Sequence, residues 1–183
     1  MNIFMVDKDP VIAAQSLVDK HVVKMILESC QLLSTAHRVT DGIIYIEKRP
    51  VEGSSPAKYR SVKKWKLYDS RDPVLYQATH INHPSAVWCR QSIENYNWLV
   101  EHMYALMDEY KHRYGKVHKC IDVAYLLQSP PNNLKDYDMT DMLCAMDDQY
   151  KISEDPVENY RNYYRKGKTS LHVWTNRQPP SWI

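Results

Sequence analysis

The chain has only four glycines and four cysteines in 183 residues, and each scarcity removes a class of function. No GxxxxGK[ST] or GxGxxG loop occurs, so the phosphate-cradling turns of nucleotide enzymes are not expected. Cys30, Cys89, Cys120 and Cys144 lie far apart with no CxxC pair. That spacing argues against a zinc knuckle or a disulfide framework and for reduced, mostly buried thiols. His80 and His83, with His118 and Cys120, make no recognised zinc pattern, so neither a metal nor another cofactor is expected. GxSxG is missing too, and with it the context of a serine nucleophile. No apolar run approaches the roughly 18 to 20 residues of a membrane span, and the opening MNIFMVDKDP lacks the basic-then-apolar order of a signal peptide. A cytoplasmic protein with no membrane partner is the expectation.

What is present fits one compact domain spanning 1–183, since 44% hydrophobic and 25% charged residues allow a real core. One phenylalanine stands beside fourteen tyrosines and five tryptophans, so most aromatic surface carries a polar handle. The net charge is +2, but it is unevenly spread. KYRSVKKWK, Lys58 to Lys66, holds five basic residues and no acid, including Lys63 and Lys64. The stretch from Asn159 to Arg177 again lacks acids and sets Arg161, Arg165, Lys166 and Lys168 among Tyr160, Tyr163, Tyr164 and Trp174. Residues 136–158 are acidic. Basic residues neutralise phosphates and aromatic faces stack on bases, as a nucleic-acid binder requires. Solvated surface anchored by aromatics is an equally open reading.

The pattern predicts a mainly α fold with two long helices, shorter helices and an irregular basic excursion. Asp9-Pro10 opens the first long helix, with Val11, Ala14, Val18, Val22, Met25, Leu32, Leu33 and Ala36 at three- and four-residue steps. It is expected to end between Arg38 and Gly42, with room for a break inside. Residues 40–80 show no sustained helical period and read as an irregular or short-stranded excursion. Asn82-His83-Pro84-Ser85 opens the second long helix, which Gly115 stops. A short helix near Lys119 to Leu127 and a last one opened by Asp155-Pro156 complete the set.

On the first helix His21, Lys24, Glu28, Gln31 and Thr35 form one polar line beside the apolar face. At the edge of a core such a line either lines a cleft, where burial tunes a carboxylate, or simply covers apolar surface with a weak Lys24–Glu28 pair. His83 and Asn82 either cap the second helix or place a substrate phosphate at its start.

The order of features resembles the pyrimidine dimer DNA glycosylase family, the endonuclease V-like enzymes of phages and bacteria. In that family an Asp-x-His on the first long helix is followed seven residues later by the catalytic glutamate, and here Asp19-Lys20-His21 precedes Glu28 at that spacing. Asn82-His83-Pro84 is similar to an element of bacterial members. Tyr163-Tyr164 and the closing Pro179-Pro180-Ser181-Trp182 resemble the family's aromatic, basic C-terminus. Leu27 stands where phage enzymes carry an arginine.

The resemblance implies a DNA glycosylase with AP-lyase activity, acting as a monomer on damaged or modified pyrimidines in double-stranded DNA. A phage-type member would work in the host cell cytoplasm. An amine attacks the anomeric carbon of deoxyribose to form an imine, and a carboxylate assists. By that likeness Met1 supplies the α-amine, Glu28 the carboxylate, and His21 orients the site or contacts phosphate. The bulk of Asn2 disfavours removal of Met1, and Lys24 or Lys20 are the other amines in range. DNA contacts are expected from Lys20, Lys24, Gln31, His83, Arg90, Lys63, Lys64, Arg161, Arg165 and Lys168. Two further readings stand beside this one: an enzyme acting on the glycosidic bond of a modified nucleotide without strand cleavage, and a non-catalytic phage DNA-binding or host-takeover protein.

Overall fold

In the computed structural model, which describes residues 1–183 except 54 and 57, the chain is mainly α. The first helical stretch divides in two. Helix α1 (Pro10–Ser16) starts where the Asp9 carboxylate accepts the amides of Val11 and Ile12, and it ends at Leu17 in extended backbone. Helix α2 (Asp19–Asp41) then runs through the centre. The break turns Val11 away from the core, where it is 46% exposed; α1 packs instead through the small Ala13, Ala14 and Ser16. Gly42 caps α2 in extended backbone, where a Cβ would collide with the Arg38 carbonyl.

Within the basic excursion the short-stranded alternative holds. Strand β1 (Ile43–Pro50) pairs antiparallel with β2 (Tyr59–Lys66), Ile43 opposite Lys66 and Pro50 opposite Tyr59. Both strands are largely exposed, so neither needs the apolar–polar alternation that reveals a half-buried strand. The base of this hairpin is fixed by Arg38, which is fully buried. Its five N–H groups donate to the carbonyls of Tyr76, Trp65, Asp72 and Leu75 and to the Asp72 carboxylate, at 2.6 to 3.1 Å. A buried guanidinium is tolerable when every donor is used in this way.

The second long helix also breaks. Helix α3 (Pro84–Cys89) stops before Ser92, whose hydroxyl accepts the Asn95 amide and starts helix α4 (Ile93–Tyr114). Gly115, left-handed at φ 64°, closes α4. Helix α5 (Ile121–Leu126) and helix α6 (Pro156–Gly167) follow. Helix α2 packs on α3 and α4, and α4 also on α1. One hydrophobic core runs from Ile3 through α2 and α4 to Tyr160 and Tyr164 of α6. Asp19 ties three regions together, accepting from Arg113 at 2.8 Å and from the Thr175 amide and hydroxyl at 2.9 and 2.6 Å. Among the described residues no helix is long and apolar enough to cross a membrane.

Candidate active site

The N-terminal segment is held tightly, and this determines what meets Glu28. Asn2 donates its side-chain amide to the Ala145 carbonyl at 2.9 Å. Its Oδ1 accepts the Ile3 amide at 2.8 Å and the Tyr160 hydroxyl at 2.9 Å. Ile3 to Val6 are buried. Phe4 takes a left-handed φ of 56°, a conformation costing an ordinary side chain about 1 to 3 kcal/mol unless its surroundings impose it. Here they do: the Phe4 ring stacks on His21 at 4.3 Å and meets the edges of Tyr160 and Tyr164.

Glu28 lies on the α2 face that receives this segment and is 8% exposed. Its Oε2 accepts the backbone N–H of Asn2 at 2.9 Å and lies 3.8 Å from the α-amino nitrogen of Met1. Its Oε1 lies 3.2 Å from Lys24 Nζ, one turn earlier. The lysine side chain is 65% exposed, so solvent weakens that pair. A poorly hydrated carboxylate thus sits against an amine on one side and an ammonium on the other.

The polar line continues to Thr35, which explains its length. The Thr35 hydroxyl accepts the Thr79 amide at 3.2 Å and donates to the Thr79 carbonyl at 3.4 Å, fastening the 79–83 loop to α2. His80 follows with φ 48° and its Nδ1 2.7 Å from the Thr79 hydroxyl. His83 caps α3: its Nδ1 accepts the Ser85 amide at 3.2 Å. That bond leaves the ring proton on Nε2. Burial first, then the charge of the Met1 amine, hold His83 below the usual histidine range, with Glu28 opposing. The helix start is therefore occupied by its own cap rather than open to a phosphate, and His83 enters the site as a neutral side chain.

His21 is 6% exposed, with Nδ1 2.5 Å from the Tyr164 hydroxyl. Burial, then the charges of Lys168 and Lys24, lower its pKa to about 4. A neutral ring locked between Phe4 and Tyr164 positions the N-terminal segment and carries no charge for phosphate. Lys20 is exposed at the start of α2 and Gln31 half-buried one turn beyond Glu28. Lys168 lies over the Tyr163 ring at 4.6 Å. Lys63 and Lys64 are on β2, and exposed Arg165 donates to the Trp182 carbonyl at 3.0 Å.

Two expected DNA ligands are engaged inside the protein instead. Arg90 donates to the carbonyls of Ala86 and Ile81 at 2.7 and 2.6 Å. Arg161 donates to the Val6 carbonyl at 2.7 Å and Asp7 at 2.9 Å, and packs on Trp182. Conversely, Asn2, Phe4, His80 and Tyr160 shape the site although the sequence pattern did not single them out for it. Only the position of Asn2, next to the expected amine, offered a signal. Two cavities of about 530 and 510 Å³ lie elsewhere, against Glu101, Tyr104 and Arg177 and against Met139, Met142 and Val157.

A carboxylate beside a chain-terminal amine can do one kind of chemistry well. The amine attacks an electrophilic carbon, and the carboxylate stabilises the developing cation and moves protons. Residues 1–122 match the family described as pyrimidine dimer DNA glycosylase. No curated protein and no solved structure matches the chain.

Proposed function

The chain belongs to the pyrimidine dimer DNA glycosylase family, and from that membership we propose that it excises damaged pyrimidines from double-stranded DNA through an N-terminal amine and Glu28. The amine nitrogen bonds to C1′ of the damaged nucleotide as the C1′–N bond to the base breaks. The base leaves with that electron pair and takes up a proton. The amine nitrogen loses a proton, and its lone pair then forms the C1′=N bond as the C1′–O4′ bond breaks and O4′ takes up a proton, giving the ring-opened, protonated imine. Glu28, 3.8 Å from the amine, stabilises the cationic sugar and then accepts a C2′ proton. The C3′–O bond breaks in the ensuing β-elimination, and the strand is cleaved at the lesion. The protein acts as a monomer, and neutral His83 donates from Nε2 to the bound nucleotide.

The observation that carries this reading is the contact of Glu28 Oε2 with the first two backbone nitrogens, at 3.8 Å for Met1 and 2.9 Å for Asn2. A merely structural polar stripe needs no such convergence. The spacing also leaves two choices of nucleophile. With Met1 in place the amine is the farther nitrogen. With Met1 removed, the Asn2 nitrogen becomes the amine at the nearer position. Borohydride reduction during incubation with ultraviolet-irradiated duplex DNA converts the imine into a stable adduct. Mass analysis of the N-terminal peptide then assigns the adduct to Met1 or Asn2. An adduct on Lys20 or Lys24, or none at all, overturns the proposal.

A further inference from the structure

The hairpin of β1 and β2 is one of two strongly basic segments of the chain, the other being residues 159–177. Residues 43–66 contain seven Lys or Arg and two Glu, whereas the whole chain is only +2, so this hairpin is a concentrated positive patch that attracts a polyanion. Antiparallel partners share a face. One face presents Tyr45 opposite Lys64, Arg49 opposite Arg60 and Ile43 opposite Lys66. The only acid among those positions is Glu47, 3.1 Å from Arg49. Like charges directly opposite each other destabilise a strand pair; Glu47 offsets Arg49, which leaves the charge of Arg60 and Lys64 on this face to attract an anion.

From these pairings the geometry points to the hairpin as a second duplex-binding element, an arm that lays its Tyr45–Lys64–Arg60–Arg49 face along phosphates flanking the site. Eight-residue strands span about 26 Å at roughly 3.3 Å per residue. A two-stranded ribbon is also of a width the major groove of B-DNA admits. Tyr45, on that face, is 44% exposed, leaving aromatic surface free to pack on sugars. Pairing with a second copy is the competing use of an open two-stranded sheet. Net charge disfavours it, because two such arms repel. The choice of duplex DNA rests on the glycosylase reading, but its test requires no chemistry.

The test is equilibrium binding of wild type and the triple variant Arg49→Gln, Arg60→Gln, Lys64→Gln to undamaged duplex of roughly 30 base pairs, between 50 and 200 mM salt. Each lost phosphate contact reduces the slope of log affinity against log salt by about 0.9. The triple variant should therefore be shallower by up to about 2.7 and weaker by at least about tenfold at the low-salt end. Its thermal unfolding and its imine trapping on a short lesion-bearing duplex should match wild type, so failure of the Glu28 chemistry is seen separately. Unchanged slope and affinity overturn the arm, as does equal weakening on single-stranded DNA. A change from self-associated to monomeric protein without a change in duplex affinity assigns the face to a second copy and also overturns it.

Discussion

The Tyr160 hydroxyl donates to Asn2 Oδ1 at 2.9 Å across 158 positions of sequence, and this bond sets where the N-terminal nitrogens lie against Glu28. The same hydroxyl accepts the Ala145 amide at 3.2 Å. Tyr160→Phe removes both, leaving the half-buried Ala145 amide without this partner while Asn2 Oδ1 keeps the Ile3 amide, a loss of about 1 kcal/mol. Imine formation should slow while affinity for undamaged duplex stays near wild type. Equal trapping rates would show that the clamp does not position the amine.

Glu28→Gln keeps the side-chain carbonyl that accepts the Asn2 amide but removes the negative charge. Turnover should fall at least ~100-fold, the scale for a lost acid–base group. Duplex affinity should hold or rise, because a charge repelling phosphate is gone. Lesion cleavage near the wild-type rate would return Glu28 to a structural stripe.

Arg161 and Arg165 are neighbours in a basic tail, yet their substitution should have opposite readouts. Arg161→Gln loses the bonds to Val6 and Asp7 and should lower the unfolding midpoint. Arg165→Gln, at an exposed position with one carbonyl contact, should leave stability within about 0.5 kcal/mol. It should still flatten the salt dependence of duplex binding by about one contact's worth of slope. A destabilised Arg165→Gln with unchanged binding would reverse these roles.

Acid should unfold the protein earlier than its carboxylates alone require. Burial, the leading cause in each case, holds His21, His37 and His102 down at about 4, against about 6.5 in an unfolded chain. Between those values the unfolded chain binds more protons, so stability is full above about pH 6.5 and falls as pH drops toward 4. Denaturant titrations across this window should show a falling unfolding free energy. His102→Leu should make that fall shallower by one titrating group. A pH-independent unfolding free energy from 7 to 4.5 would contradict the buried neutral histidines.

Local chemistry made several parts legible from sequence: Asp9-Pro10 and Asp155-Pro156 as helix starts, Gly115 as a helix stop, and the His21–Thr35 line on one face of α2. Each depends on residues within a few positions of one another. Tertiary structure decided the rest. The Ser92 hydroxyl competes for the Asn95 amide and breaks a pattern that reads as continuous helix. The hairpin gives no alternation because both its faces are wet. Arg38 passes as a helix-end cation until carbonyls 27 to 38 residues later saturate it. At the site, Glu28 and its line were visible in the sequence. Their meaning came from Asn2, Thr79 and Tyr160, whose hydrogen bonds close loops too long for spacing rules to foresee.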